Sequence, residues 1–185
     1  MNRTKRTLLI GVAAAALAIG SIMAVGAGNG WWKACVAEPV QEQVQSTLLP
    51  TEVQEAVLEA LAGEEGEYAA YATYDAILNT YGDVNPYANI MAAEAEHIDA
   101  LKQILDRYEV PYPVENPYLG LIEAPASLAD AAQAGIDAEI ANVALYEEQL
   151  SAVADYPDIV EVFVKLQRAS QEQHLPAFER AAARY

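Results

Sequence analysis

Apolar residues recur at three- and four-residue spacing along four stretches of the chain, and no stretch sustains an alternation of two, so helices are expected and strands are not. The first stretch starts after Pro50, where Thr51 and Gln54 make a capping box, and runs to Tyr81 with Gly82-Asp83 as its stop. Gly63 and Gly66 are expected to bend it. The second opens at Asn85-Pro86, a cap followed by a first-turn proline, and ends near Tyr108. It carries Ile90, Glu94, His97, Leu101 and Ile104 on one stripe. Residues 109–125 contain Pro111, Pro113, Pro117 and Pro125, a density that no regular helix survives. Ser127 caps the third helix, whose stripe is Leu128, Ala132, Gly135, Glu139, Asn142, Tyr146 and Val153. Asp155-Tyr156-Pro157 breaks the chain and starts the fourth helix, which reaches about Ala183. Connections that run short, long, short predict an all-α fold over residues 51–185, a four-helix up-down bundle with one long crossover.

The pattern before residue 51 is different. Asn2 to Arg6 is basic, and Thr7 to Gly28 then runs 22 residues without a charge. Residues 1–30 therefore read as a signal peptide or membrane anchor helix, with Val25-Gly26-Ala27 as the small-residue cleavage site if the leader is cut. A retained run of this length would span a bilayer with its basic end in the cytoplasm, giving membrane attachment through residues 7–28. Either route places the rest of the chain outside the cytoplasm, secreted or held at the cell surface. Residues 31–50 read as a linker. Trp31 and Trp32 suit a membrane interface and equally suit an aromatic spacer. Cys35 has no partner for an intrachain disulfide, and Trp32-Lys33-Ala34 lacks the small aliphatic residues of a lipobox, so its thiol is expected to be free or intermolecular.

Charge narrows the partners. The net charge over 185 residues is -17, and Arg3, Lys5, Arg6 and Lys33 precede the first acid, which leaves 6 basic against 27 acidic residues in the remainder. Such a surface repels phosphate backbones, so no nucleic acid is expected as a partner. It concentrates cations loosely, as any acidic, salt-tolerant surface does. Homo-oligomerisation is left open, and no outward helix face is apolar enough to predict a cage.

The chain also repeats itself. Glu67-x-Ala-x-x-Ala-x-Tyr74-Asp75-x-x-Leu78 returns as Glu139-x-Ala-x-x-Ala-x-Tyr146-Glu147-x-x-Leu150. Each copy precedes a helix with one histidine, Glu94-Ala-Glu-His97 and then Gln171-Glu-Gln-His174, and the chain has no other histidine. Residues three apart share a helix face, so Glu94 and His97 point inward together on an otherwise apolar stripe. Buried carboxylates persist when they are paired or coordinate a metal. With no lysine or arginine on these stripes, Glu67, Glu94, His97, Glu139 and His174 form a buried negative cluster that cations would relieve. Oxygen plus imidazole ligands suit iron or manganese, and zinc less specifically. A polar core that binds nothing is the plainer alternative. Gln171 departs from a complete second motif, since an amide oxygen is a weaker ligand than a carboxylate, and a single-metal or asymmetric site is the alternative this opens. Glu172 could replace it if Pro176 distorts the turn, and Glu64, one turn before Glu67, is a further candidate. Tyr74 and Tyr146 could donate hydrogen bonds to ligand carboxylates, or fill the core as large residues with a polar tip. The Glu64-Glu65 and Glu147-Glu148 pairs read as solvated faces.

These residues carry a resemblance. Glu64-Glu65-Gly66-Glu67 leading to Tyr74, Asn89-Ile90 before Glu94-x-x-His97, Gly135-x-x-x-Glu139, and Ser170 before His174-Leu-x-Ala-Phe178 are similar, over residues 52–183, to the ferritin-like superfamily and most closely to its DUF2202-type domains. The resemblance implies that Glu67, Glu94, His97, Glu139 and His174 match metal-ligand positions; the expected roles are terminal or bridging for Glu67 and Glu139, bridging for Glu94, and terminal for both histidines. It implies a two-metal site, with Fe as the metal and Mn or Zn as alternatives, acting on iron with O2 or peroxide in the manner of a ferroxidase or peroxidase. The rival expectation is a non-catalytic helical module for interaction or structure, its site vestigial or occupied by zinc.

Overall fold

The computed structural model describes residues 48–185. The leader, the linker up to residue 47, the paired tryptophans and Cys35 lie outside the described residues. The described chain is a helical bundle, with no strand among its described residues. Its helices are α1 (Thr51–Ala62), α2 (Glu67–Tyr81), α3 (Tyr87–Arg107), α4 (Leu128–Gln149), α5 (Pro157–Ala169) and α6 (Leu175–Ala182), and a π-helical turn (Ser170–His174) joins the last two. None of them is long and apolar enough to cross a membrane.

Each helix forms where the apolar stripe runs. On α1 the buried positions are Val53, Ala56, Val57, Ala60 and Leu61, the spacing of a single inward face. α1 and α2 both lie along α3, and α4 lies along α5 and α6. Two apolar clusters result. One gathers α1, the C-terminal half of α3 and the start of α5 around Leu61, Leu105, Ile159 and Phe163. The other gathers Tyr74, Ile77, Tyr87, Ile90, Ala131 and Phe178. The buried polar residues of α2, α3, α4 and the π turn belong to neither cluster.

The first helix is broken as well as bent. Gly63 and Gly66 both take extended backbone, and α2 starts afresh at Glu67. A Cβ on Gly66 would lie 2.7 Å from the carbonyl oxygens of both Ala60 and Glu59, so the chain can turn here only with glycine. The helix starts also differ from expectation. Pro50 is the cap of α1, and Gln54 Nε2 donates to the Leu49 carbonyl (2.7 Å) in place of a capping box. Pro86 is the cap of α3 rather than its first residue, and the helix begins at Tyr87. Ser127 does cap α4, its hydroxyl accepting from the Asp130 amide at 3.1 Å. α4 ends at Gln149, and Val153 stays buried from the turns that follow.

The crossover after α3 has few backbone partners of its own, and tyrosines supply them. Tyr68 donates to the Pro113 carbonyl (2.7 Å) and Tyr81 to the Pro125 carbonyl (2.5 Å). Tyr118 donates back to the carbonyl of Ala62 (2.8 Å), and Asn116 Nδ2 to that of Tyr68 (2.7 Å). Three of the chain's eleven tyrosines thus fasten a proline-rich strap to the first helices.

Candidate metal centre

All five candidate ligands converge. α2 supplies Glu67, α3 supplies Glu94 and His97, α4 supplies Glu139, and the π turn supplies His174. All are buried; the most exposed, His97, keeps 7% of its surface, and Glu67 and Glu94 keep 1% each. Glu67 gains its place by being the first residue after the glycine break. Glu94 and His97 gain theirs by the three-residue spacing on a regular helix.

The cluster is two overlapping triads, Glu67–Glu94–His97 and Glu94–Glu139–His174, each with one atom per residue within 4.8 Å of the others. Glu94 is shared, and each of its oxygens serves one side. Its Oε2 lies 2.8 Å from His97 Nδ1, and its Oε1 lies 3.2 Å from His174 Nδ1. Glu67 Oε2 and Glu139 Oε2 close the two triads at 3.4 Å from the same histidine nitrogens. The imidazoles stack, with centroids 5.5 Å apart. Despite these short distances, Glu94 Oε2 and His174 Nδ1 have no hydrogen-bond partner. Buried polar atoms are rarely left so. His97 Nδ1 does bond Glu67 Oε2 (3.4 Å), but an orphaned oxygen and an orphaned nitrogen among crowded ligand atoms suit an ion between them.

Tyr74 and Tyr146 cross over. Tyr74 on α2 donates to Glu139 Oε1 on α4 (2.7 Å), and Tyr146 on α4 donates to Glu67 Oε1 on α2 (2.5 Å). In each case the oxygen left over is the one facing a histidine. Burial, and then the facing carboxylate, raises both phenol pKa values well above the ordinary range, so both remain donors.

The less certain candidates all lie outside. Gln171 and Glu172 are exposed, and Glu172 is paired with Arg168 at the surface (3.2 Å). The distortion expected from Pro176 is present as the π turn, in which the Leu175 amide reaches back to the Ser170 carbonyl. It turns Ser170 inward and leaves Glu172 outside. Ser170 and Asn142 are the polar residues that sequence reasoning missed as a pair. The Ser170 hydroxyl donates to Asn142 Oδ1 (2.8 Å), and Asn142 Nδ2 donates to the Glu65 carbonyl (3.2 Å). The clue was Asn142 on the inward stripe of α4, between Glu139 and Tyr146. Glu64 is exposed and belongs to neither triad.

Charge is balanced internally only with protons. Among the described residues no lysine or arginine forms an ion pair with the cluster, whose pairs are histidine with carboxylate. Burial pushes the His97 pKa down, but Glu67 and Glu94 carry it up to about 10. His174 follows the same course, with Glu139 and Glu94 carrying it to about 9. Glu67 is raised to about 7 by burial and by Glu94. For Glu94 burial is outweighed by the flanking histidines, and its carboxyl sits below the usual range. Protons or metal ions can therefore satisfy the same atoms.

No family model matches the chain. It is similar to uncharacterized protein MJ0754 of Methanocaldococcus jannaschii, 29% identical over 113 residues, an alignment covering 54% of this chain and 60% of that protein. The chain thus spans about three fifths of that relative's length. A crystal structure of hypothetical protein MJ0754 superposes with a TM-score of 0.65 at 28% identity, over 74% of this chain and 83% of the other. The similarity supports the helical architecture and brings no named activity.

Proposed function

We propose that the chain is a ferritin-like protein that holds two transition-metal ions between its helices and uses them in redox chemistry with O2 or peroxide. The supporting observation is Glu94, whose oxygens face two different triads while one of them lacks a hydrogen-bond partner. Glu67, Glu94 and His97 would hold one ion, and Glu94, Glu139 and His174 the other. Two-metal carboxylate sites place their ions ~3.5–4 Å apart, a separation that one carboxylate spans. The donors fit iron best, since hard oxygens dominate and imidazole completes the set. Bound iron would supply electron transfer to an oxygen substrate. The protein's part is to fix the carboxylates with Tyr74 and Tyr146, to exclude bulk water, and to release the histidine protons as ions enter. The order of elements, with one long crossover between α3 and α4, supports the ferritin-like reading. The basic start and 22-residue uncharged run support export, with or without a retained anchor.

One observation favours a non-catalytic reading. With both histidines protonated, the cluster nearly neutralises itself, and such a core could serve structure alone. Loading the purified chain with ferrous iron without oxygen, then adding oxygen or peroxide, separates the two. The expected result is about two equivalents bound, oxidised within the protein. Binding below about half an equivalent, unchanged by Glu94→Ala with His97→Ala, rejects the metal reading.

A further inference from the structure

Beside the cluster lies a cavity of about 60 Å³. Its inner end is formed by Glu94 and Glu139, its sides include Ala69 and Ala138, and its outer rim is the exposed pair Glu64 and Glu65 in the break between α1 and α2. The inner end carries Glu94, whose Oε1 faces His174 on the Glu139 side and whose buried, unpartnered Oε2 faces His97 beyond the cavity. The rim is held in place, because buried Asn142 bonds the carbonyl of Glu65 and is itself bonded by Ser170. Glu139 lines this space beside Glu94, whereas Glu67 and both histidines are absent from its walls.

A liquid water occupies ~30 Å³, so the cavity admits a few waters and not a fully hydrated ion. An ion passing through must trade water for carboxylate oxygens, and such oxygens stand at both ends. A cleft of one charge sign also raises the local concentration and entry rate of the opposite sign. We infer that this cavity is the port through which a divalent cation enters the cluster, with Glu64 and Glu65 collecting the ion and the Glu94–Glu139–His174 triad filling before the Glu67–Glu94–His97 triad. This rests on the two-metal reading, and gives the glutamates that fall outside the ligand set a role in delivery.

Stopped-flow absorbance of Co²⁺ binding to the metal-free full-length chain tests it. Glu64→Gln with Glu65→Gln should slow binding about tenfold at low salt, with a smaller effect at high salt. Ala138→Leu should slow binding at both salt concentrations by narrowing the passage. Both variants should reach the wild-type end point. Glu52→Gln with Glu55→Gln, on the exposed face of α1, should bind at the wild-type rate. His174→Ala should remove the fast phase and His97→Ala the slow one. Wild-type rates in both port variants, or the reverse assignment of phases, would overturn the inference. Should Ala138→Leu lose its helical circular dichroism, the paired glutamine variant, confined to an exposed turn, decides alone. A wild-type chain that takes up no Co²⁺ fails differently: it rejects the metal reading first and the port with it.

Discussion

On α3, Glu94 and His97 stand three residues apart on a regular helix, and both face inward. In the second half Gln171 and His174 keep the spacing, yet Gln171 faces solvent. The difference is the π turn. It places Ser170, His174 and Phe178 on one buried stripe at four-residue spacing, where a regular helix of 3.6 residues per turn would drift. A motif read by spacing alone assumes a regular helix, and here that assumption holds in one half only. The two triads are therefore equal in ligand type but unequal in origin. Glu94 of the first half supplies both, and the second half returns no carboxylate from its histidine helix.

Removing the shared residue is the harshest way to break the comparison. Glu94→Ala should abolish binding of both ions, whereas Glu67→Ala and Glu139→Ala should each remove one, measured as equivalents bound by metal analysis after equilibrium dialysis. Equal losses from all three substitutions would refute the sharing.

The metal-free protein should depend on pH in a definite direction. His97 and His174 have folded pKa values of about 10 and about 9, above the ordinary 6.5. Their contribution is complete below about 6.5 and fades as pH rises through those values. Glu67, raised from 4.5 to about 7, acts in the same direction at lower pH. Glu94, lowered, opposes them and loses its contribution only as pH falls below the ordinary carboxylate range. Chemical denaturation with chelator should show stability dropping by a few kcal/mol between pH 6 and pH 10, on the order of the shifts involved. Metal should reduce that slope, since metal binding deprotonates both histidines. A flat profile in the chelated protein would contradict the proton-filled cluster.

The tyrosines sharpen the contrast between halves, because each serves the opposite helix. Tyr146→Phe should weaken the ion held by Glu67, and Tyr74→Phe the ion held by Glu139, each by roughly 10–100-fold as for other lost supports of metal ligands. Calorimetric titration resolves the two affinities. Weakening of the same ion by both variants would show that the crossed pairing does not matter. The smallest effect belongs to Gln171→Glu. Although it completes the written motif, the side chain is exposed, so stability should move by no more than about 0.5 kcal/mol and metal affinity should be unchanged. A gain in affinity would mean that the turn can rewind to bring residue 171 inside.

Much of the helical plan was legible before the structure. The stripe on α3, the Ser127 cap, Pro157 as a helix start and the proline-dense crossover all follow from local chemistry. So does the convergence of Glu67, Glu94, His97, Glu139 and His174, since inward charges on apolar stripes must meet other inward groups. What escaped depends on geometry beyond one helix. The break at Gly63–Gly66 folds Gly66 back against the Ala60 and Glu59 carbonyls, a close approach that composition does not reveal. The outward turn of Gln171 comes from the π turn, which Pro176 hinted at without fixing its direction. The crossed tyrosines and the Ser170–Asn142 pair join residues distant in sequence, whose partners appear only when the helices pack.

Crystals of the full chain soaked in manganese or ferrous salt, with diffraction recorded at the metal edge, would report directly on Glu94. Two anomalous peaks are expected, one beside Oε1 with Glu139 and His174 and one beside Oε2 with Glu67 and His97. A single peak that leaves either triad empty, or no peak while both histidines keep their carboxylate contacts, would contradict the shared-carboxylate centre.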